Sequence, residues 1–275
     1  MDRFRDQLRR ASPGLASLIE RMPLQDTPPL PPEWLRWEML ERAQVVRHAA
    51  LAQGSTVLEV GSGAHAIATV PLAFEMGSSG RVIAVERSRW NQFGPIMRAS
   101  GLETRVCPVK ADAGSLPFRS GSIDIAVCLH GIRSLGSSDE VVGVLQEMLR
   151  VGSRLVIAES LPLARNDAQQ AHLMLYNLRE QVFEAAYGRK DDRHYLPLTS
   201  LTNLVERAGG VVDRSDTVEV DLPHALAYFP RTLVEAIPDA SRRTSLLREW
   251  EEANSLCERH GEDHPLVGIV VAHRS

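Results

Sequence analysis

Between residues 56 and 159, short β-rich runs alternate with helical stretches, and this alternation constrains the fold more than any other feature of the sequence. Strands that alternate with helices favour a parallel sheet with helices on both faces. The runs are almost entirely apolar, which fits strands buried on both sides. They lie at 56–60, 81–86, 105–109, 123–129 and 153–159. We therefore predict an α/β protein with a doubly wound, mostly parallel sheet.

The flanking segments extend this core. Further strands are predicted at 211–220 and 264–274, which would complete a seven-stranded sheet. A proline-rich link at 27–32 cannot form a regular helix or a central strand, so it separates an N-terminal helix from the rest. We divide the chain into a helical extension with its link at 1–32, a core at 33–160, and a C-terminal half at 161–275 with helical insertions at 161–200 and 222–263.

Charge and cysteine content narrow the class of protein. The 31 basic and 35 acidic residues leave a formal net charge of −4, whereas a dominant nucleic-acid partner usually leaves a basic imprint. No apolar run approaches the roughly 20 residues of a membrane span, and the charged start of the chain is unlike a signal peptide. The three cysteines form no CxxC pair, so no metal site is indicated. We expect a cytoplasmic protein in which Cys107 and Cys128 are buried.

A glycine-rich turn follows the first predicted strand, in the sequence EVGSG at 59–63. Glycines at such a turn let backbone amides approach a ligand closely. Gly61 and Gly63 match the first two glycines of the GxGxxG pattern, and Ala66 stands at the third. A structural turn without a ligand and a nicotinamide-binding loop therefore both remain open at this point.

Carboxylates follow the next two strands. Glu86 ends the second strand, about 25 residues after the loop, roughly where a carboxylate meets ribose hydroxyls in dinucleotide folds. The alternative for Glu86 is a solvated carboxylate at a strand end. Asp112 and Ala113 follow the third strand, where a carboxylate and the next amide could bind an adenine amino group and a ring nitrogen. Nicotinamide folds need no carboxylate there, so Asp112 favours a different adenosyl cofactor.

Four segments together resemble the class I S-adenosylmethionine-dependent methyltransferases, and within them the branch of the ubiquinone/menaquinone C-methyltransferases. These segments are EVGSG, AVE, AD with SLPF, and SIDIAV. The resemblance covers about residues 40–160 and implies a Rossmann-like fold whose core at 33–160 binds S-adenosyl-L-methionine. The expected activity is methyl transfer to a small molecule, with S-adenosyl-L-homocysteine as the product. A possible homodimer is also expected.

The resemblance also implies roles for individual residues. The loop residues would line the methionine end of the cofactor, and Glu86 with Arg87 would bind the ribose. Asp112 and Ala113 would bind the adenine. Leu129 and His130 would face the sulfonium. The loop residues are Glu59, Gly61, Ser62 and Gly63. Two departures from the family pattern stand out, because His65 replaces a third glycine and Val151-Gly152 replaces the usual Pro-Gly before the fifth strand.

His130 is the candidate catalytic residue. It follows the fourth strand, at the end where open α/β sheets bind ligands, and an ordinary histidine can accept a proton near neutrality. The alternative is that it only shapes the pocket, because a positioned acceptor and an already activated methyl group need no strong base.

Candidate substrate contacts are aromatic or histidine side chains outside the core alternation, which could line a mostly apolar pocket. They are Trp37, Tyr176, His194, Tyr195 and Tyr228. Ordinary packing of these side chains remains the alternative. Two other functions stay open: a non-catalytic protein that binds S-adenosylmethionine, and a nicotinamide-dependent oxidoreductase.

Overall fold

A computed structural model describes residues 13–22, 32–88, 90–188, 195–220 and 229–275, and it confirms the seven-stranded sheet. The strands are β1 (Thr56–Val60), β2 (Arg81–Glu86), β3 (Val106–Lys110), β4 (Ile123–Leu129), β5 (Gly152–Ser160), β6 (Gly210–Val218) and β7 (Val267–Arg274). The helices are α1 (Pro13–Arg21), α2 (Pro32–Ala49), α3 (Thr69–Glu75), α4 (Phe93–Ser100), α5 (Ser138–Val151), α6 (Asp167–Tyr187), α7 (Leu198–Arg207), α8 (Arg231–Glu235) and α9 (Ala240–His260).

The strand order is β3-β2-β1-β4-β5-β7-β6, with β7 antiparallel to both of its neighbours. The first five strands run parallel to one another. From β1 the chain adds β2 and β3 on one side, and it then returns to add β4 and β5 on the other side, so the order of the strands reverses between β1 and β4. In open α/β sheets such a reversal leaves a crevice at the carboxyl ends of the strands. The residues that follow β1 to β4 therefore meet at the end of the sheet that carries the carboxyl ends of these strands.

Helices cover both faces of the sheet, as the alternation predicts. Successive strand residues point to opposite faces, so Val57 and Val127 pack into one core cluster with α2, α3 and α4. Leu58 and Ala126 pack into a second cluster with α5 and α7. Both clusters consist mainly of fully buried aliphatic side chains, and they fix the strand ends that carry the candidate site.

A third apolar cluster lies apart from the sheet and joins α6, α8 and α9. Leu175 and Val182 on α6 pack there with Leu246 and Ala253 on α9. The two predicted insertions thus pack against each other. We call this unit, residues 161–188 and 229–263, the helical cover.

Two local expectations differ from the structure, and a third cannot be compared with it. The sequence pattern favours a helix over about 65–77, but helix α3 begins at Thr69, after turns at residues 64–68. Cys107 is exposed, contrary to prediction, because β3 is the edge strand of the sheet, whereas Cys128 on the central β4 is buried as predicted. The N-terminal helix is described only from Pro13, and its predicted first part lies outside the described residues. Among the described helices, none is long and apolar enough to cross a membrane.

Candidate active site

The glycine turn after β1 leaves room for a ligand. Gly61 and Gly63 have φ angles of 83° and 65°, and no atom lies within 4 Å of the position of an added Cβ on either. The amides of Gly61 and Ser62 both donate to the Val85 carbonyl, at 2.9 and 3.1 Å, which ties the turn to β2. Open space beside a fixed glycine backbone is what a closely bound ligand requires.

His65 fits this turn in a way that the sequence did not reveal. The left-handed backbone conformation falls on Ala66, whose φ is 51°, and not on His65. A side chain at 65 therefore carries no backbone strain. The ring of His65 is half-buried, and burial lowers the pKa of its imidazole.

Glu59 lies beneath the turn, 2% exposed. Its Oε2 accepts a hydrogen bond of 2.6 Å from the Thr69 hydroxyl at the start of α3. Burial raises the pKa of Glu59 to about 7, although the Thr69 hydroxyl and the Arg42 guanidinium act in the opposite direction. A carboxyl in this condition is poised to ionise when a cation approaches.

Glu86 and Asp112 lie at the same end of the sheet, at the carboxyl ends of β2 and β3. The half-buried Glu86 accepts from the amide of Gly63 at 3.3 Å and from that of Ser88 at 3.1 Å, and the next residue, Arg87, is exposed. Asp112 is exposed and accepts from the Gly114 amide at 2.8 Å. Ala113 is half-buried beside it. Both carboxylates are held by backbone amides, and each has further lone pairs for a ligand's donors.

Leu129 is the last residue of β4, His130 follows it, and both are buried. His130 has a φ of 55°, and its amide donates to the Ala158 carbonyl. Its Nε2 lies 2.8 Å from Glu41 Oε1, and its Nδ1 lies 3.3 Å from Ser160 Oγ. Burial lowers the pKa of His130 well below its usual range, and Arg42 and Arg133 act in the same direction. The neutral ring thus donates from Nε2 to Glu41, and both nitrogens are engaged.

A group of buried charges around His130 was missed in the sequence. Glu41 and Arg42 lie on α2, and Arg42 bonds Glu38 at 2.7 Å. Glu159 is the penultimate residue of β5, and its Oε1 accepts from the amide of Ile132 at 2.7 Å. The signal was present, because charged residues interrupt the apolar face of α2, and a glutamate directly follows the apolar run of β5.

Two of the five candidate substrate residues come together. Tyr176 and Tyr195 stack with ring centroids 4.1 Å apart, and the Arg133 guanidinium carbon lies 5.3 Å from the Tyr195 centroid. Trp37 is half-buried and packs against the first core cluster. His194 and Tyr228 lie outside the described residues.

Comparison with known proteins extends this picture. A protein-family profile described as a methyltransferase domain matches residues 58–157, which contain the glycine turn and the ends of β1 to β4. The methyltransferase GfsG of Streptomyces halstedii is 30% identical over 188 residues, which are 68% of this chain and 64% of that protein. These matches support a class I S-adenosylmethionine-dependent methyltransferase. Proteins of this family use S-adenosylmethionine as the methyl donor.

Other similar proteins are more distant from this chain. The ubiquinone/menaquinone biosynthesis C-methyltransferase UbiE of Idiomarina loihiensis is 23% identical over 54% of this chain and 60% of that protein. The chain thus matches less than two thirds of the length of these curated relatives. A cyclopropane-fatty-acyl-phospholipid synthase-like protein from Lactobacillus casei superposes with a TM-score of 0.72 at 16% identity, over 94% of this chain and 98% of that one. This last likeness shows the shared fold alone.

The comparisons do not favour a nicotinamide-dependent oxidoreductase or a non-catalytic binding protein. They support the ubiquinone/menaquinone branch only weakly, so that finer assignment stays a prediction.

Proposed function

We propose that this protein binds S-adenosylmethionine at the carboxyl ends of β1 to β3 and transfers its methyl group to a small molecule held beside β4. One observation carries the proposal: a glycine turn facing open space is bordered by acceptor carboxylates at the ends of three successive strands. The donors of the cofactor, an ammonium group, a ribose diol and an adenine amino group, match those acceptors.

Each carboxylate has one proposed partner. Glu59 with Gly61, Ser62 and Gly63 holds the methionine end, and Glu86 with Arg87 holds the ribose. Asp112 and Ala113 hold the adenine. The bound sulfonium supplies an activated methyl group, so the protein's own contribution is to orient the acceptor and to exclude water.

His130 fits a positioning role better than that of a general base. Its two nitrogens already bond Glu41 and Ser160, and its lowered pKa leaves it a weak proton acceptor. With Leu129 it forms a fixed wall next to the proposed position of the sulfonium. In this proposal, the helical cover excludes water from the side of the site next to Leu129 and His130.

Cofactor affinity should depend on pH through Glu59. Its folded pKa of about 7 is raised above the usual value, so the neutral carboxyl prevails below that pH. A cationic ammonium favours the ionised form, and affinity should rise about tenfold between pH 6 and 8. In the protein without cofactor, the raised pKa of Glu59 affects folding in the opposite direction. The contribution of this group to the free energy of unfolding is lost as the pH rises through about 7. Calorimetric titrations at several pH values test this, and Glu59→Gln should flatten the profile.

The proposal is tested by native mass spectrometry of the purified protein. The expected result is one molecule of S-adenosylmethionine or S-adenosylhomocysteine per chain, added or already bound. Binding of a nicotinamide dinucleotide instead would contradict it. A protein that binds the cofactor but methylates no small molecule would support the non-catalytic alternative.

A further inference from the structure

A hydrogen-bonded chain of three side chains lies in and beside the helical cover. Glu262 Oε1 lies 2.8 Å from His172 Nδ1, and His172 Nε2 lies 3.1 Å from the Tyr195 hydroxyl. His172 on α6 is fully buried, and Tyr195 is 8% exposed. The three residues come from distant parts of the chain, which the packing of α6 and α9 brings together.

The chain of bonds has a direction. An ionised carboxylate only accepts hydrogen bonds, so Glu262 accepts from the Nδ1–H of His172. The other ring nitrogen, Nε2, then carries the lone pair and accepts from the Tyr195 hydroxyl. This order of carboxylate, imidazole and hydroxyl is the arrangement in which an oxygen can give up its proton to a base that a third group orients.

The Tyr195 end of this chain is linked through Arg133 to the segment that follows β4. Arg133, four residues after the end of β4, places its guanidinium over the Tyr195 ring. Arg133 and Leu196, the residue after Tyr195, line a cavity of about 410 Å³ whose other lining residues lie between β4 and α5, on α5 and on α7. The His264 ring lies 6.3 Å from both the His130 and the His172 rings, so it connects the wall beside β4 with the three-residue chain.

We infer that Glu262, His172 and Tyr195 form a proton relay for methyl transfer and that the methyl acceptor is a hydroxyl compound. This inference rests on the proposed function. In the step, an oxygen lone pair of the acceptor forms a bond to the methyl carbon, and the carbon–sulfur electron pair leaves with the neutral thioether. The acceptor's proton passes to the Tyr195 oxygen as the Tyr195 proton passes to His172 Nε2.

The chemistry of the acceptor follows from the need for such a relay. A neutral amine attacks through its lone pair before it loses a proton, and a thiol ionises readily by itself. A hydroxyl oxygen is a poor nucleophile until its proton leaves, so it gains most from a base in contact. Burial raises the pKa of Tyr195, against the effect of Arg133, so the phenol stays neutral until the proton passes through it.

The acceptor class is tested with deuterium-labelled S-adenosylmethionine and a library of alcohols, amines and thiols of matched carbon skeletons, including phenols. Mass spectrometry then locates the labelled methyl group. The expected product is a methyl ether. Methylation only of nitrogen, sulfur or carbon, or no ether from any hydroxyl compound by a protein that binds the cofactor, would overturn the inference but not cofactor binding. Absence of cofactor binding would instead contradict the proposed function itself.

The relay is tested with Tyr195→Phe and the control Thr244→Val, which removes an exposed hydroxyl on α9 whose bond is to the Ala240 carbonyl. General-base contributions run at about 10²–10⁴-fold, so kcat of Tyr195→Phe should fall at least about a hundredfold with cofactor affinity unchanged. The control should keep most activity. With a nitrophenol that is ionised at the assay pH, the loss should shrink to less than about tenfold, since no proton remains to be removed.

Equal losses in the two variants, or an equal loss with the ionised acceptor, would show that Tyr195 only supports the structure. Glu262→Gln keeps the shape of the side chain and serves as a second variant if Tyr195→Phe folds poorly. It should lower kcat with the same dependence on acceptor ionisation.

Discussion

Replacing Glu86 by alanine is expected to weaken S-adenosylmethionine binding by roughly five- to 150-fold, which corresponds to the 1–3 kcal/mol of an unsatisfied hydrogen-bonding group. The variant removes the acceptor for the ribose hydroxyls and also frees the amide of Gly63, which Glu86 holds at 3.3 Å. Equilibrium dialysis with labelled cofactor measures the change. Asp112→Ala should show a loss of the same order through the adenine.

Glu249→Ala is the matched control for both variants. Glu249 is an exposed carboxylate on α9 with a local bond to Ser245, away from the sheet edge. Its removal should leave affinity unchanged. Wild-type affinity in correctly folded Glu86→Ala and Asp112→Ala proteins would refute the placement of the cofactor.

Glu159→Ala should lower the free energy of unfolding by about 3 kcal/mol, the largest effect on stability that we expect from a single substitution at the site. Glu159 is 1% exposed, and its Oε1 accepts from the backbone amides of Ile132 at 2.7 Å and Arg133 at 3.4 Å. Alanine would leave these donors and the nearby Arg133 guanidinium without the carboxylate. Denaturant unfolding without cofactor measures the loss.

Glu159→Gln separates the hydrogen bonds from the charge. The amide oxygen of glutamine can still accept from the Ile132 amide, so this variant should lose less than roughly half as much stability. If alanine and glutamine destabilise equally, the charge near Arg133 matters and the backbone bonds do not. If neither destabilises, the account of this buried carboxylate is wrong.

The sheet could be predicted because its signal is local. Each parallel strand is a short apolar run between polar turns, and the predicted bounds of β1, β2 and β4 match the structure. The glycine turn and the carboxylates Glu59, Glu86 and Asp112 were found for the same reason, since each lies at or just after the end of a strand. Their roles as ligands of the cofactor stay a proposal.

The polar interactions around the site could not be predicted, because they join residues far apart in the chain. Glu41 and His130 are separated by 89 positions, and His172 and Glu262 by 90. Glu262 is two residues from His264 in the sequence, whereas the structure pairs it with His172 on α6. Only tertiary packing decides which buried charges meet.

Calorimetric titration of the wild-type protein with S-adenosylmethionine tests the central claim most directly. The account predicts saturable binding of one molecule per chain, competition by S-adenosylhomocysteine, and affinity that rises from pH 6 to 8. NADH and NADPH should not compete. Binding of a reduced nicotinamide dinucleotide, or no binding of S-adenosylmethionine by the folded protein, would contradict it.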